Sequence, residues 1–272
     1  MSSNKPLILL VDDNKEILEF ISEDLSEKYS VISALNGHEA LNVLKHELIQ
    51  LVITDVTMPV MDGFELCRNI KSNIEYSHIP VIMLTAKNTL QSKIEGIELG
   101  ADAYIEKPFS PEYLQVQIAT LLLNRSKVKD YFASSPLVHI KTIAYTKADE
   151  SFLEKLNEVI YKNIEDTDLS VDKLATVMNM SRATLYRKIK EISNLSPNEL
   201  INVARLKIAA ELLANDEYKI YEVSEKVGFS SYRQFGRNFS KQFGIFPSEY
   251  VPLKREEREN MRFRKSCTSG LI

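Results

Sequence analysis

Residues 51–66 read LVITDVTMPVMDGFEL. The run Leu51–Thr54 is the apolar, β-branched sequence of a buried strand, and it ends abruptly on Asp55. Pro59, Asp62 and Gly63 then mark a turn before a helix that begins near Phe64. A carboxylate at the end of a buried strand either caps the following turn or does chemistry. The stretch alone allows both, so the decision rests on what else the chain brings to the same place.

Working outward, the same pattern recurs. LILLV (7–11) ends at Asp12 and Asp13, and Asn14 is placed to cap the helix KEILEFISEDLSE, whose Ile17, Leu18, Ile21 and Leu25 fall at helical spacing. YSVISA (29–34) reads as a strand and NGHEALNVLKHE (36–47) as a helix. PVIMLT (80–85) is a strand followed by a helix through LQSKIEGIEL (90–99). ADAYIEK (101–107) holds a fifth strand, and SPEYLQVQIATLLLN (110–124) a last helix with Pro111 in its first turn. Five strand–helix units with apolar strands predict a doubly wound parallel sheet covered on both faces. Ligands of such sheets bind beyond the carboxyl ends of the strands.

Those ends carry Asp12 and Asp13, Asp55, Thr85, and Lys107 followed by Pro108. Clustered carboxylates repel one another unless a cation joins them. Mg²⁺, a hard ion that takes oxygen ligands and keeps water or phosphate, suits the set. Asp13 and Asp55 are candidates for direct ligation, Asp12 directly or through water, and the Thr57 carbonyl for a further oxygen. Lys107 and the Thr85 hydroxyl would then receive the other oxygens of a phosphoryl group on Asp55, a carboxylate nucleophile forming an aspartyl-phosphate. Each acid alone reads equally well as a helix cap; the five residues together favour the chemistry.

LLVDDN, LVITDVTMPVMDG, MLTAK and ADAYIEKPF, in this order and spacing, resemble a response-regulator receiver domain over residues 1–124. The resemblance implies a flavodoxin-like sheet of order 2-1-3-4-5, and phosphorylation of Asp55 by a histidine kinase with Mg²⁺. It further implies Thr85 turning toward the phosphoryl group, Tyr104 swinging inward as a switch aromatic, and a cis Lys107–Pro108 bond, which X-Pro bonds permit at modest cost. Thr57 and Lys87 stand at positions that vary in the family and flank the phosphoryl site.

From about Phe152 the pattern becomes helical only. SVDKLATVM, a short turn and SRATLYRKIKEI, with Ser181 as N-cap, form a helix-turn-helix candidate. SPNELINVARLKIAAELLAN follows as a longer helix, and then the unit repeats. Leu174, Met178 and Met180 map onto Val223, Val227 and Phe229 at a shift of 49, and Ser181, Leu185, Arg187, Ile189 and Pro197 onto Ser231, Phe235, Arg237, Phe239 and Pro247 at a shift of 50. One residue is therefore inserted at the second turn. VSEKVGFSSYRQFGRNFSKQFGIFPSEY is similar to the signature of AraC-type DNA-binding domains, and the resemblance covers residues 151–252. It implies two recognition helices entering successive major-groove segments on one face of double-stranded DNA.

Charge agrees with this division. Residues 1–124 hold nine basic and eighteen acidic side chains, whereas 125–272 hold 25 and 20. RATLYRKIK, with Arg182, Arg187, Lys188 and Lys190, has no acid, nor has SYRQFGRNFSKQ, with Arg233, Arg237 and Lys241. Leu185, Ile189 and Ile192 form the expected buried stripe of the first reading helix, leaving Arg182, Ala183, Tyr186, Arg187 and Lys190 outward. Ser231, Arg233, Arg237 and Lys241 are the candidates on the second. Arg182, Tyr186 and Arg233, which do not repeat, are the better candidates for sequence readout. Arg187 and Arg237, which do, suggest a shared phosphate-binding or bracing role. A solvated basic face is the bland alternative for both helices.

Residues 125–150, of mixed polarity with Ser134, Ser135 and Pro136, read as a partly ordered linker, and 253–272 as a flexible basic tail. No apolar run approaches the roughly 18 residues of a bilayer span. The N-terminus has no signal-peptide pattern, and Cys67 and Cys267 stand 200 positions apart with no metal or disulfide spacing, so a reducing cytoplasm is the expectation. The four histidines are scattered, and none reads as a kinase phosphoacceptor.

The expected function is that of a non-enzymatic, phosphorylation-dependent transcription regulator, homodimeric when phosphorylated. It would be either free-standing or the excised end of a membrane-bound hybrid histidine kinase, with linker and tail resembling the latter. A small-molecule phosphatase would place a second acid two positions after Asp55, where Thr57 stands, and a phosphate-independent interaction module would not need the intact acidic set.

Overall fold

The computed structural model describes residues 5–86, 94, 96–134, 140–215 and 217–268. The described residues form two compact units, one from 1–129 together with 144–152, the other from 130–143 together with 153–272.

The first unit is built on five strands, β1 (Leu7–Val11), β2 (Ser30–Ala34), β3 (Leu51–Asp55), β4 (Val81–Thr85) and β5 (Ala103–Glu106). All neighbours pair in parallel, in the order β2-β1-β3-β4-β5. The three inner strands are buried almost throughout, and the two edge strands only in part, as a sheet covered on both faces requires. The strand period of two divides the core cleanly. Leu9, Val11, Val52, Val81 and Met83 face helices α2 (Gly37–His46) and α3 (Gly63–Ser72). Ile8, Leu10, Leu51, Ile53, Ile82 and Leu84 face α1 (Lys15–Leu25) and α4 (Pro111–Ser134). Asn14, Asn36 and Asp62 cap α1, α2 and α3 through side-chain oxygens, each satisfying an otherwise orphan N–H. The helix expected over residues 90–99 lies largely outside the described residues, as does Lys87.

The stretch expected to be a linker is mostly helical. Helix α4 continues to Ser134, a 3-10 turn occupies Ile140–Ile143, and α5 (Lys147–Lys162) begins before Phe152. The cause is a start signal inside the supposed linker: the Asp149 N–H donates to Thr146 Oγ1 at 3.1 Å, and the Glu150 N–H to the Thr146 carbonyl at 2.9 Å.

The second unit contains the repeated pair. Helices α6 (Val171–Met178) and α7 (Arg182–Ser193) form the first copy, α8 (Pro197–Asn215) follows, and α9 (Ile220–Lys226) and α10 (Tyr232–Phe243) form the second. Helix α11 runs from Pro247 to Thr268, so the backbone of the basic tail is helical to that point rather than loose. Phe229, Phe235 and Phe239 pack edge-on or tilted at 5.4 and 5.8 Å between successive ring centroids, and Tyr250 meets Phe239 at 5.3 Å. No helix among the described residues is long and apolar enough to cross a membrane.

Candidate functional site

Register brings the strand-end residues together. Val11 lies opposite Thr54, Asp55 opposite Leu84, and Thr85 opposite Glu106, so Asp12, Asp55, Thr85 and Lys107 leave the sheet along one edge. Asp12 is 2% exposed and Asp55 8%. The Lys107 ammonium bridges them, donating to Asp12 Oδ2 at 2.8 Å and to Asp55 Oδ1 at 2.5 Å. The remaining oxygens are also used: the Asn14 N–H donates to Asp12 Oδ1 at 2.9 Å and the Thr57 N–H to Asp55 Oδ2 at 2.7 Å. Asp13 and Thr57 are exposed beside the pair, and Thr85 is buried beneath it. The Lys107–Pro108 peptide is cis.

Gly63 sets the depth of this edge. A Cβ there would stand 2.2 Å from the Asp55 carbonyl oxygen, so only glycine lets α3 start so close to the acid. Its N–H donates to the Val56 carbonyl at 3.0 Å, which ties the loop back on itself.

Electrostatics show what the cluster lacks. Burial pushes the Asp55 carboxyl above its ordinary range, and the pull of Lys107 and the Thr57 N–H does not fully offset it. Burial also works against the Lys107 ammonium, yet its bonds to the two carboxylates hold it above the usual lysine value. Two buried acids, with Asp13 alongside, thus share one cation. Among the described residues no three Asp, Glu, His or Cys side chains make a ready metal cage. The donors are instead three carboxylates and the main chain at Thr57, an all-oxygen set with an excess of negative charge. That chemistry fits a hard divalent cation.

Tyr104 lies inward on β5. A Cβ on Gly96 would sit 3.1 Å from its ring, next to the Met83 sulfur at 3.3 Å. Its hydroxyl is buried, with no hydrogen-bond partner among the described residues. An unsatisfied buried hydroxyl costs about 1–3 kcal/mol, so this conformation is held by packing of the ring and not by its polar end.

In the second unit, Arg182, Ala183, Tyr186 and Lys190 are exposed on α7, with Arg187 half-buried. Lys188 is not on that face: it is 1% exposed, between Leu185 and Ile192 on the packed stripe. Arg182 pairs with Asp172 of α6 at 3.2 Å, both well exposed, and Lys190 turns back to donate to the Asn194 carbonyl at 2.5 Å. On α10, Arg233, Arg237 and Lys241 are exposed, as are Tyr232 and Gln234, which sequence reasoning did not single out for contact. Ser181 and Ser231 cap the two helices, accepting from the N–H groups of Thr184 at 3.0 Å and Gln234 at 3.3 Å. Their hydroxyls are therefore engaged by the helices they start.

Arg205 was also missed. It is 7% exposed on α8, donates to the Asp166 carbonyl at 2.6 Å, and lies against the Phe229 ring and the turn at Gly228. It braces the second turn from beneath. Its spacing of four from Ile201 and of four from Ala209, both buried, was the available signal.

Residues 8–119 match the response regulator receiver domain family, and residues 174–252 a helix-turn-helix domain family. Histidine kinase P4 of Formosa agariphila is 39% identical over 246 residues, 90% of this chain but only 18% of that protein. The probable transcriptional regulator ycf27 of Cyanidium caldarium is 34% identical over 211 residues, 73% of this chain and 80% of that protein. Among solved structures, a CheY-like response regulator receiver domain protein from Methanospirillum hungatei JF-1 is 31% identical, covering 45% of this chain and 98% of that one, with a TM-score of 0.43.

Proposed function

The chain belongs to the response regulators that join a receiver domain to an AraC-type helix-turn-helix domain, and from that premise we propose that Asp55 is its phosphoacceptor and that phosphorylation governs sequence-specific binding to double-stranded DNA. The family is one of regulators and not of enzymes, with a histidine kinase and DNA as its partners. The observation that carries the proposal is the Lys107 ammonium bridging two buried carboxylates at the common end of the sheet.

In this reading an Asp55 oxygen attacks the phosphorus of a phosphohistidine. The O–P bond forms as the P–N bond breaks, and the kinase histidine leaves as imidazole after taking a proton from solvent. The kinase stands on a separate chain or on the same longer one. Mg²⁺, held by Asp12, Asp13, Asp55 and the Thr57 carbonyl, would supply positive charge against the phosphoryl oxygens. Lys107 follows the charge from Asp55 Oδ1 to a phosphoryl oxygen while keeping Asp12. Thr85 donates its hydroxyl to another phosphoryl oxygen, and Tyr104, the switch aromatic, repacks behind it as Thr85 and Lys107 move. The altered outer face of the receiver then favours a homodimer.

On DNA, Arg182, Ala183, Tyr186, Arg187 and Lys190 of α7 and Arg233, Arg237 and Lys241 of α10 face the grooves, with Ser181 and Ser231 at the helix starts. The 19-residue α8 between the copies spans about 28 Å, of the order of the ~34 Å groove repeat. Arg182 must leave Asp172 to reach DNA, which costs about 0–1 kcal/mol for an exposed pair.

The test is DNA affinity and oligomeric state with and without beryllofluoride and Mg²⁺. The proposal expects tighter binding and dimerisation in the parent and neither in Asp55→Ala; identical responses refute the phosphoacceptor. Arg182→Ala and Arg233→Ala should each cost about 1–3 kcal/mol on a selected site, and unchanged binding refutes the interface.

A further inference from the structure

We propose that the receiver edge formed by Ser77, Asp102 and Arg125 is a docking surface whose occupant is this chain's own segment 144–152, and that this dock transmits the receiver's state into α5. The transmission rests on the phosphorylation reading; the dock does not.

Asp149 is fully buried, as is Ser77, 72 positions away. The Ser77 hydroxyl donates to Asp149 Oδ1 at 2.7 Å, and the Tyr145 N–H donates to Oδ2 at 3.3 Å. Beside this pair the Arg125 guanidinium lies 3.9 Å over the Tyr145 ring, whose hydroxyl donates to the Arg125 carbonyl at 3.2 Å. A segment merely resting on a surface does not take a carboxylate fully out of water, because the desolvation cost demands placed donors. Here the donors come from both sides, so the contact is built.

Arg125 connects the dock to the sheet. It donates to Asp102 Oδ1 at 2.7 Å and to the His78 carbonyl. Asp102 Oδ2 in turn accepts from Lys71 at 2.6 Å and from the Val81 N–H at 2.9 Å. Asp102 immediately precedes β5, the strand that carries Tyr104 and delivers Lys107 to the phosphoacceptor. One four-residue strand, about 13 Å long, therefore has the acidic cluster at one end and the dock at the other. A shift of Lys107 and Tyr104 moves Asp102 along the same backbone, and with it Arg125, Tyr145 and the first turn of α5. Residues 147–152 of that helix group with the receiver unit and residues 153–162 with the other.

The test uses the full chain and hydrogen exchange of the 144–152 amides. They should be protected in the parent and exchange about tenfold faster in Ser77→Ala, with the remaining receiver amides unchanged. Tyr145→Phe, which removes one hydroxyl only, gives the same local effect if Ser77→Ala folds poorly. In both variants the beryllofluoride-to-apo ratio of DNA affinities should fall toward one from the parent's value, about 5- to 150-fold for coupled sites. Beryllofluoride binding at Asp55 should be unaltered. Free exchange of 144–152 in the parent overturns the dock. An unchanged affinity ratio in variants that expose 144–152 overturns the transmission. No beryllofluoride response in the parent overturns the phosphorylation reading and the transmission with it, while protected 144–152 amides still uphold the dock.

Discussion

Replacing Lys107 with methionine removes the one ammonium that two buried carboxylates share, while keeping the apolar stem of the side chain out to Cε. At 2.5 and 2.8 Å and an effective dielectric of about 20, each contact is worth roughly 6 kcal/mol of gross attraction. Most of that is offset in the parent by the desolvation of three charges. What remains after substitution is the larger effect: Asp12 and Asp55 stay buried, repel each other and have no counter-charge. Breaking a buried pair costs about 3–5 kcal/mol; the Lys107 side chain is 21% exposed, so about 2–4 kcal/mol is expected. The assay is urea denaturation at neutral pH with and without Mg²⁺. Without Mg²⁺ the variant should unfold at clearly lower urea with an unchanged slope. A cation that enters the site restores the missing charge, and at about 100 times its Kd it returns about 2.7 kcal/mol. The Mg²⁺ gain should therefore be larger in Lys107→Met than in the parent. A loss below about 0.5 kcal/mol, or equal Mg²⁺ gains in the two proteins, would refute both the electrostatic account of the cluster and its proposed cation.

Four further outcomes follow from particular positions. Gly63→Ala puts a Cβ 2.2 Å from the Asp55 carbonyl and should cost about 1–3 kcal/mol together with beryllofluoride affinity. Gly236→Ala, in mid-helix with nothing within 4 Å of the new Cβ, should stabilise by about 0.5–1 kcal/mol; thermal unfolding checks both, and equal signs refute the packing argument. Phe235→Ala empties a wholly buried ring site in the second copy and should cost about 3–5 kcal/mol, read by urea denaturation together with loss of DNA binding. Burial raises the Asp102 carboxyl, but Lys71, Arg125 and the Val81 N–H together leave it below its ordinary value. Its stability contribution is thus full above an unfolded pKa of about 3.9 and is lost as pH falls through the lower folded value. Asp102→Asn should cost about 2–4 kcal/mol at neutral pH and flatten the acid limb of the stability curve below about pH 4; an acid limb as steep as the parent's refutes the assignment.

The sheet and its acidic edge were legible because each strand is an apolar run with a polar end, and in a parallel sheet those ends must meet. Asp12 and Thr85 announce themselves as the first polar residues after buried apolar ones, Asp55 follows the buried Thr54, and Lys107 comes one residue past Glu106. The dock was not legible. Ser77 and Asp149 follow no period and match no motif, and nothing local says that either is buried. Part of it had a signal, since Thr146 and Asp149 have the spacing of a helix start, but mixed polarity around them suggested a linker. Lys188 shows the opposite error. Grouped by composition with Arg187 and Lys190, it looked like part of a basic face. Its spacing of three from Leu185 and four from Ile192 puts it on the packed stripe, and helical geometry overrode its charge.

The repeat separates the residues that build the second unit from those proposed to read DNA. Asn179 and Gly228 take the left-handed conformation after the first helix of each copy, and Asn194 and Gly244 do so after the second. Ser196 and Phe246 then receive the side chains of Glu199 and Glu249 on their N–H groups at 2.7 and 2.8 Å. With these anchors fixed, the inserted residue is Ser230, between the matched Phe229 and Ser231. The turns, the Ser181 and Ser231 caps and the core positions Leu185 and Ile189 therefore recur, the last two as Phe235 and Phe239. The outward positions do not recur. At the shift of 50, Arg182 falls on Tyr232, Ala183 on Arg233 and Tyr186 on Gly236. Even the repeated Arg187 and Arg237 differ, the first half-buried and the second exposed. Two scaffolds of one design thus carry different outward side chains, and in the proposed DNA complex direct readout would depend on them. The operator expected from this surface consists of two unlike elements about one helical turn apart, bound in a single orientation by each copy of the chain.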